Sequence, residues 1–126
     1  MGDRETTALT KLELQIMQVI WKRGASTVNE VQAEMEPPLA YTTVQTMLNI
    51  LEKKGKLQRE LEGRAFVYSA RVTEEKAVGQ SVRDLVDRMF GGSADELVMS
   101  LLKNRQIDPK RIAELSRRLE EEGGDA

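Results

Sequence analysis

Between Tyr41 and Lys54 the side chains Thr42, Thr43, Gln45, Thr46 and Asn49 offer hydroxyls and amides, and Lys53 and Lys54 close the segment with two cations. Helical periodicity centres an apolar face on Val44 and Leu51, sets Thr42, Thr46, Asn49 and Lys53 opposite to it, and leaves Thr43 and Gln45 on the flanks. A solvated helix face ordinarily carries Glu, Lys and Arg. Hydroxyls and amides both donate and accept hydrogen bonds, which suits base edges in a DNA major groove, and threonine methyls suit the C5 methyl of thymine. The bland alternative is a neutral exposed face that happens to be rich in threonine. Local charge favours the nucleic-acid reading: from Pro38 to Val72 six cations, Lys53, Lys54, Lys56, Arg59, Arg64 and Arg71, stand against three glutamates. They gather at the end of that helix and around Arg64, where phosphates would lie.

The rest of the composition narrows the classes of function. The chain has 126 residues, a net charge of −2, 32% charged and 4% aromatic side chains, and neither Cys nor His. A thiolate nucleophile, a disulfide framework, an imidazole acid or base and the usual zinc, copper or haem ligand sets are therefore excluded. The 21 carboxylates make close pairs inevitable, such as Asp84 with Asp87. Catalysis would need one of them desolvated in a pocket, and nothing in the pattern suggests that, so no enzyme activity, cofactor or metal is expected. No apolar run approaches the roughly 18 residues of a membrane span, and the N-terminus lacks a signal-peptide pattern, so a cytoplasmic protein is expected. Met1-Gly2 with Thr6 has myristoylation spacing, but Asp3-Arg4-Glu5 supplies no polybasic second anchor.

The elements that must position these groups are marked by their termini. Thr10 with Glu13, Thr27 with Glu30 and Ser93 with Glu96 have capping-box spacing, and Asp108-Pro109 pairs an N-cap with proline at the first helical position. Leu12, Ile16, Val19 and Ile20 predict a first helix over about 10–22, ended by Arg23-Gly24. A short second helix runs from Val28 to about Met35, before Pro37-Pro38. The third, over about 41–54, carries Val44, Met47, Leu48 and Leu51 and ends at Gly55. The period then changes to two: Leu57, Arg59 and Leu61 alternate with Gln58 and Glu60, Glu62-Gly63-Arg64 turns, and Phe66-Val67-Tyr68 returns. Three helices followed by a β-hairpin over 57–70 is the order of a winged helix-turn-helix. A winged helix can also be a protein-interaction module without specific DNA binding. That alternative would more often expose apolar or acidic groups where this chain has Thr42, Thr46 and Asn49.

From Thr73 onward every apolar pattern is helical. Val78, Val82, Leu85, Val86, Met89 and Phe90 form one stripe, Leu97, Val98, Leu101 and Leu102 a second after Gly91-Gly92, and Ile112, Leu115 and Leu119 a third. Some 50 residues in three short helices bury too little surface to offset chain entropy of about 1–2 kcal/mol per residue. The expected partner is a second copy across a two-fold axis, held by Val82, Leu85, Val86, Met89, Phe90, Leu97, Leu101 and Leu102. The sequence thus predicts an α+β, mainly α, chain: a winged-helix DNA-binding domain over 7–72, a three-helix dimerisation arm over 73–120 and a flexible acidic tail over 121–126.

Three blocks carry a family likeness: Leu9-Thr10-Lys11-Leu12-Glu13-Leu14-Gln15-Ile16-Met17 through Ile20-Trp21, Tyr41-Thr42-Thr43-Val44-Gln45-Thr46-Met47-Leu48 through Gly55, and Phe66-Val67-Tyr68. With them the chain resembles the penicillinase repressor family, which includes the β-lactamase and methicillin-resistance repressors, from about residue 9 to 120. The resemblance implies a homodimer that binds a dyad-symmetric operator in double-stranded DNA and represses transcription of antibiotic-resistance genes. It also implies release when a membrane-bound sensor protease, triggered by β-lactam, cuts the dimerisation region. The copper-responsive branch carries a C-terminal cysteine motif, which this chain lacks. Ser100-Leu101 stand where the β-lactam branch carries its Asn-Phe cleavage pair.

Overall fold

A computed structural model describes residues 9–123. The expected domain start at residue 7, the Met1-Gly2 motif and the last three residues of the acidic tail lie outside that range. The order is α1 (Lys11–Arg23), α2 (Val28–Glu34), α3 (Tyr41–Lys53), β1 (Leu57–Glu62), β2 (Ala65–Ala70), α4 (Glu74–Phe90), α5 (Ala94–Lys103) and α6 (Pro109–Gly123). This is the mainly helical winged-helix arrangement with a single antiparallel hairpin among the described residues.

The caps explain where the helices begin. Both Thr10 and Thr27 form full capping boxes: the Glu13 and Glu30 amides donate to the threonine hydroxyls at 3.2 Å, and the threonine amides donate back to the glutamates at 2.9 Å. At Ser93 the hydroxyl accepts from the Glu96 amide, and Asp108 accepts from the Arg111 amide at 2.8 Å. Helix α3 differs, since its N-cap is Ala40 and no side chain caps it. Its other end is closed by a Schellman turn: the Lys56 amide donates to Leu51 O at 2.9 Å and the Gly55 amide to Glu52 O at 3.1 Å, with Gly55 at φ +81°. A side chain at residue 55 would strain that left-handed geometry.

The core of the first compact unit, which ends at Asp84, gathers Ile16, Met17 and Ile20 from α1, Val28, Val31 and Met35 around α2, Val44, Leu48 and Leu51 from α3, and Leu57 and Tyr68 from the hairpin. Each supplies the inward stripe of its element, so α3 is held on one face and left open on the other. The Gln32 amide group donates to Leu39 O at 3.0 Å and ties the turn between α2 and α3. In the hairpin Leu57 pairs with Ala70 and Glu62 with Ala65, leaving Gly63 and Arg64 as a two-residue turn. Gly63 has φ +66°, the sign that a type II′ turn requires at its first central position. A further bridge joins Ser26 to Tyr68, each amide donating to the other's carbonyl at 2.9 and 2.8 Å, so the returning strand is fastened to the α1–α2 loop. The Trp21 indole donates to Val72 O at 3.0 Å where the hairpin hands over to α4.

The second unit begins at Leu85, inside α4, and contains the rest of that helix with α5 and α6. Among the described residues α5 and α6 contain no buried side chain, and α4 contains only Ala77. Val82, Leu85 and Met89 are exposed, while Val86, Phe90, Leu97, Leu101 and Leu102 are half-buried. The sequence starts the flexible tail at 121, but α6 continues through Glu120, Glu121 and Glu122 to Gly123, because glutamate sustains a helix beyond its last apolar residue, Leu119.

Candidate nucleic-acid interface

The open face of α3 is built by exclusion. Val44, Leu48 and Leu51 are wholly enclosed, which rotates Tyr41, Thr42, Thr43, Gln45, Thr46 and Lys53 outward, and all six are exposed. The exposed run therefore presents three threonine hydroxyls, a carboxamide and a phenol along about three turns, with a cation at its C-terminal end. Those groups can donate to and accept from base edges without leaving a buried charge unpaired.

Two of the eight nominated residues depart from expectation, Asn49 from its projected face and Lys54 from the group of cations set toward phosphates. Asn49 is half-buried, not on the open face, because the hairpin closes over that side of α3. Its carbonyl oxygen accepts from the Tyr68 hydroxyl at 3.0 Å and from the Arg59 guanidinium at 3.4 Å. Lys54 turns inward as well. Its ammonium lies 2.8 and 2.9 Å from the two carboxylate oxygens of Glu13, which is only 3% exposed. Glu13 is thus the N3 residue of the α1 capping box and the anchor for the last turn of α3, fixing the pitch of the exposed face against the core. Burial pushes the Glu13 carboxyl up, but the hydrogen bond and charge of Lys54, with the Thr10 amide and hydroxyl, outweigh it and hold the pKa below its ordinary value.

The wing brings a second cation to the same side of the domain. Arg64 is exposed at the hairpin turn and lines a cleft of about 170 Å³ with Gln45 and Tyr41 of α3, Thr27 and Asn29 at the start of α2, and Phe66 of β2. The nominated residues Gln45 and Arg64 are therefore brought together, while Asn29, Tyr41 and Phe66 join them without having been singled out. Exposed aromatics on a polar face are the signal that would have found Tyr41 and Phe66, which are 42% and 41% exposed. On the hairpin the Arg59 guanidinium lies 4.3 Å from the Phe66 ring centroid. Among the described residues no group of His, Cys, Asp or Glu is arranged to hold a metal, and no helix is long and apolar enough to cross a membrane.

Residues 9–121 match the family model described as penicillinase repressor. The penicillinase repressor of Bacillus licheniformis is 35% identical over 115 residues, covering 90% of each chain. A solution structure of the monomeric form of the Bacillus licheniformis repressor BlaI with the blaP half-operator shares 38% identity over 56% of this chain and 89% of that chain, with a TM-score of 0.49. A transcriptional regulator from Thermotoga maritima is similar in fold, with a TM-score of 0.51 at 17% identity, over 91% of this chain and 74% of that one.

Proposed function

This chain belongs to the penicillinase repressor family, and from that premise we propose that it is a homodimeric transcriptional repressor that binds a dyad-symmetric operator in double-stranded DNA. It acts by binding, not by catalysis, and works in the cytoplasm without a cofactor. The observation that carries the reading is the open face of α3, where Thr42, Thr43, Gln45 and Thr46 stand exposed beside the cleft that ends at Arg64. In this reading α3 enters the major groove, its hydroxyls and carboxamide meet base edges, and Lys53 and Arg64 meet phosphates on either side.

Dimerisation rests on the arm. Val82, Leu85 and Met89 are exposed and Val86, Phe90, Leu97, Leu101 and Leu102 half-buried, so a second copy has an apolar surface to cover. Two tethered modules on one dyad gain affinity through effective concentration, an advantage of about 10²–10⁴ over a single module without any new DNA contact. Relief of repression then follows from damage to the arm. By family likeness the trigger is β-lactam, acting through a membrane-bound sensor protease. Ser100 and Leu101 lie within α5, so a protease would have to unwind the last turns of that helix to place the bond in an extended site.

The direct test is selection of duplexes from a random pool by the full chain. A dyad-symmetric consensus bound by two chains supports the proposal, whereas failure to enrich any sequence favours a protein-interaction module. A chain truncated after Ser100 should bind the full operator at least about tenfold more weakly than the intact chain while matching it on an isolated half-site. Equal affinity for the full operator would separate the arm from repression.

A further inference from the structure

Taking the DNA-binding reading above as its basis, we infer that Asn49 is a positioning residue that latches the wing to α3 through Tyr68 and Arg59, and does not read a base. The side chain sits where the two DNA-facing elements meet. Its carbonyl oxygen is the acceptor for both the Tyr68 hydroxyl, at 3.0 Å, and Arg59 Nη1, at 3.4 Å. Two lone pairs on one amide oxygen accommodate two donors, so the acceptor side of Asn49 is spent inside the protein.

The hairpin register explains why those two donors arrive together. Arg59 pairs with Tyr68 and Leu61 with Phe66, so all four side chains share one face of the two-stranded sheet. Tyr68 is 1% exposed, and its backbone is fastened to Ser26, so its hydroxyl approaches α3 from a fixed base. Arg59 is exposed and comes from the other strand. Its guanidinium is shared between the Asn49 oxygen and the face of Phe66, 4.3 Å from the ring centroid. Asn49 therefore contacts both strands, one directly fixed by the core and one reached through a cation. The Phe66 ring and Arg64 lie beyond these contacts toward the turn, and both line the cleft against Tyr41 and Gln45. A two-stranded ribbon is marginal by itself, so the angle at which it carries Arg64 depends on what it is tied to.

This role makes a distinct prediction for Tyr68→Phe, which keeps the buried ring and removes only the hydroxyl. If Asn49 acts through the latch, Asn49→Ala and Tyr68→Phe each weaken binding to the selected operator and to random duplex alike, by about two- to tenfold, the worth of one hydrogen bond. The double variant should be no weaker than the worse single variant, because both remove the same contact. Asn49→Asp should keep the wing ordered, since a carboxylate accepts from both donors. Hydrogen exchange of the amides from Arg59 to Val67, measured without DNA, reads the latch independently: both single variants should exchange faster there, while α1 amides stay protected.

That second readout separates the two ways of failing. If the wild-type chain selects no duplex but the exchange pattern appears, the DNA reading fails and the latch stands. If Tyr68→Phe leaves both wing exchange and DNA affinity unchanged, the latch is overturned; if Asn49→Ala weakens only the operator and spares random duplex, the latch is overturned and Asn49 is a base-reading residue.

Discussion

Ile16, Met17, Val31, Val44, Leu48 and Leu51 are completely enclosed by α1, α2, α3 and the hairpin, whereas Met89 of α4 and Leu119 of α6 are 66% and 71% exposed. Both regions are written in the same amphipathic code, with apolar residues at helical spacing and capped ends. The difference lies in what each stripe meets. In the first region three helices cross at short range and the hairpin seals the remaining side, so each stripe is covered from within the chain. In the second, stripes of similar strength are left partly open. A helix face of that kind is the surface on which the proposed second copy would pack.

The largest expected effect lies in the self-sufficient region. Leu48→Ala, at a wholly buried position under the exposed threonines, should destabilise the winged helix by about 2–5 kcal/mol and lower its Tm, as read by calorimetry. A loss no greater than at an exposed site would mean that this region lacks the core described. Charging the other region should do the reverse, leaving the fold of each chain intact while breaking assembly. Met89→Asp would place a carboxylate in the proposed dimer contact at a cost of several kcal/mol, so sedimentation should shift from dimer to monomer with helical circular dichroism retained. A folded wild-type monomer at micromolar concentration would remove the contrast altogether.

Smaller effects sharpen the account of α3. Thr46→Ala should weaken operator binding by about 1–3 kcal/mol with a smaller effect on random duplex, and equal losses on both would show that Thr46 reads no base. Glu13 gives a pH signature. Because its pKa is lower in the folded chain than in the unfolded one, its contribution to stability is complete above the unfolded value and is lost as the pH falls through the folded value. Acid unfolding of Glu13→Gln should therefore begin from a less stable protein and show a shallower decline below that pH; an unchanged curve would mean that the Lys54 contact does not hold Glu13. Least in size, Arg64→Gln should reduce the magnitude of the log K against log salt slope by about 0.9 if the wing tip meets one phosphate. An unaltered slope would leave Arg64 in solvent.

The helix boundaries and the open face of α3 were legible because they depend on local rules. Thr10 and Thr27 carry their glutamates three residues on, and Gly55 follows the last turn of α3, where the closing turn takes a left-handed residue. The inward turn of Lys54 and the half-burial of Asn49 were not legible from periodicity. A helical projection ranks faces by angle, and it contains neither Glu13, 41 residues earlier, nor the hairpin that folds back over α3. Asn29 and Tyr41 escaped for a related reason: their place beside Arg64 is set by the hairpin returning across the start of α2 and α3, a long-range packing event.

The most direct test of the central claim is an anisotropy titration of the full chain on its selected duplex and on a scrambled duplex of the same length and composition, at one physiological salt concentration. Base reading by the exposed face of α3 predicts a preference for the selected duplex of at least about 10³-fold. Equal affinity for the two would contradict it, leaving a basic surface that holds DNA without reading it.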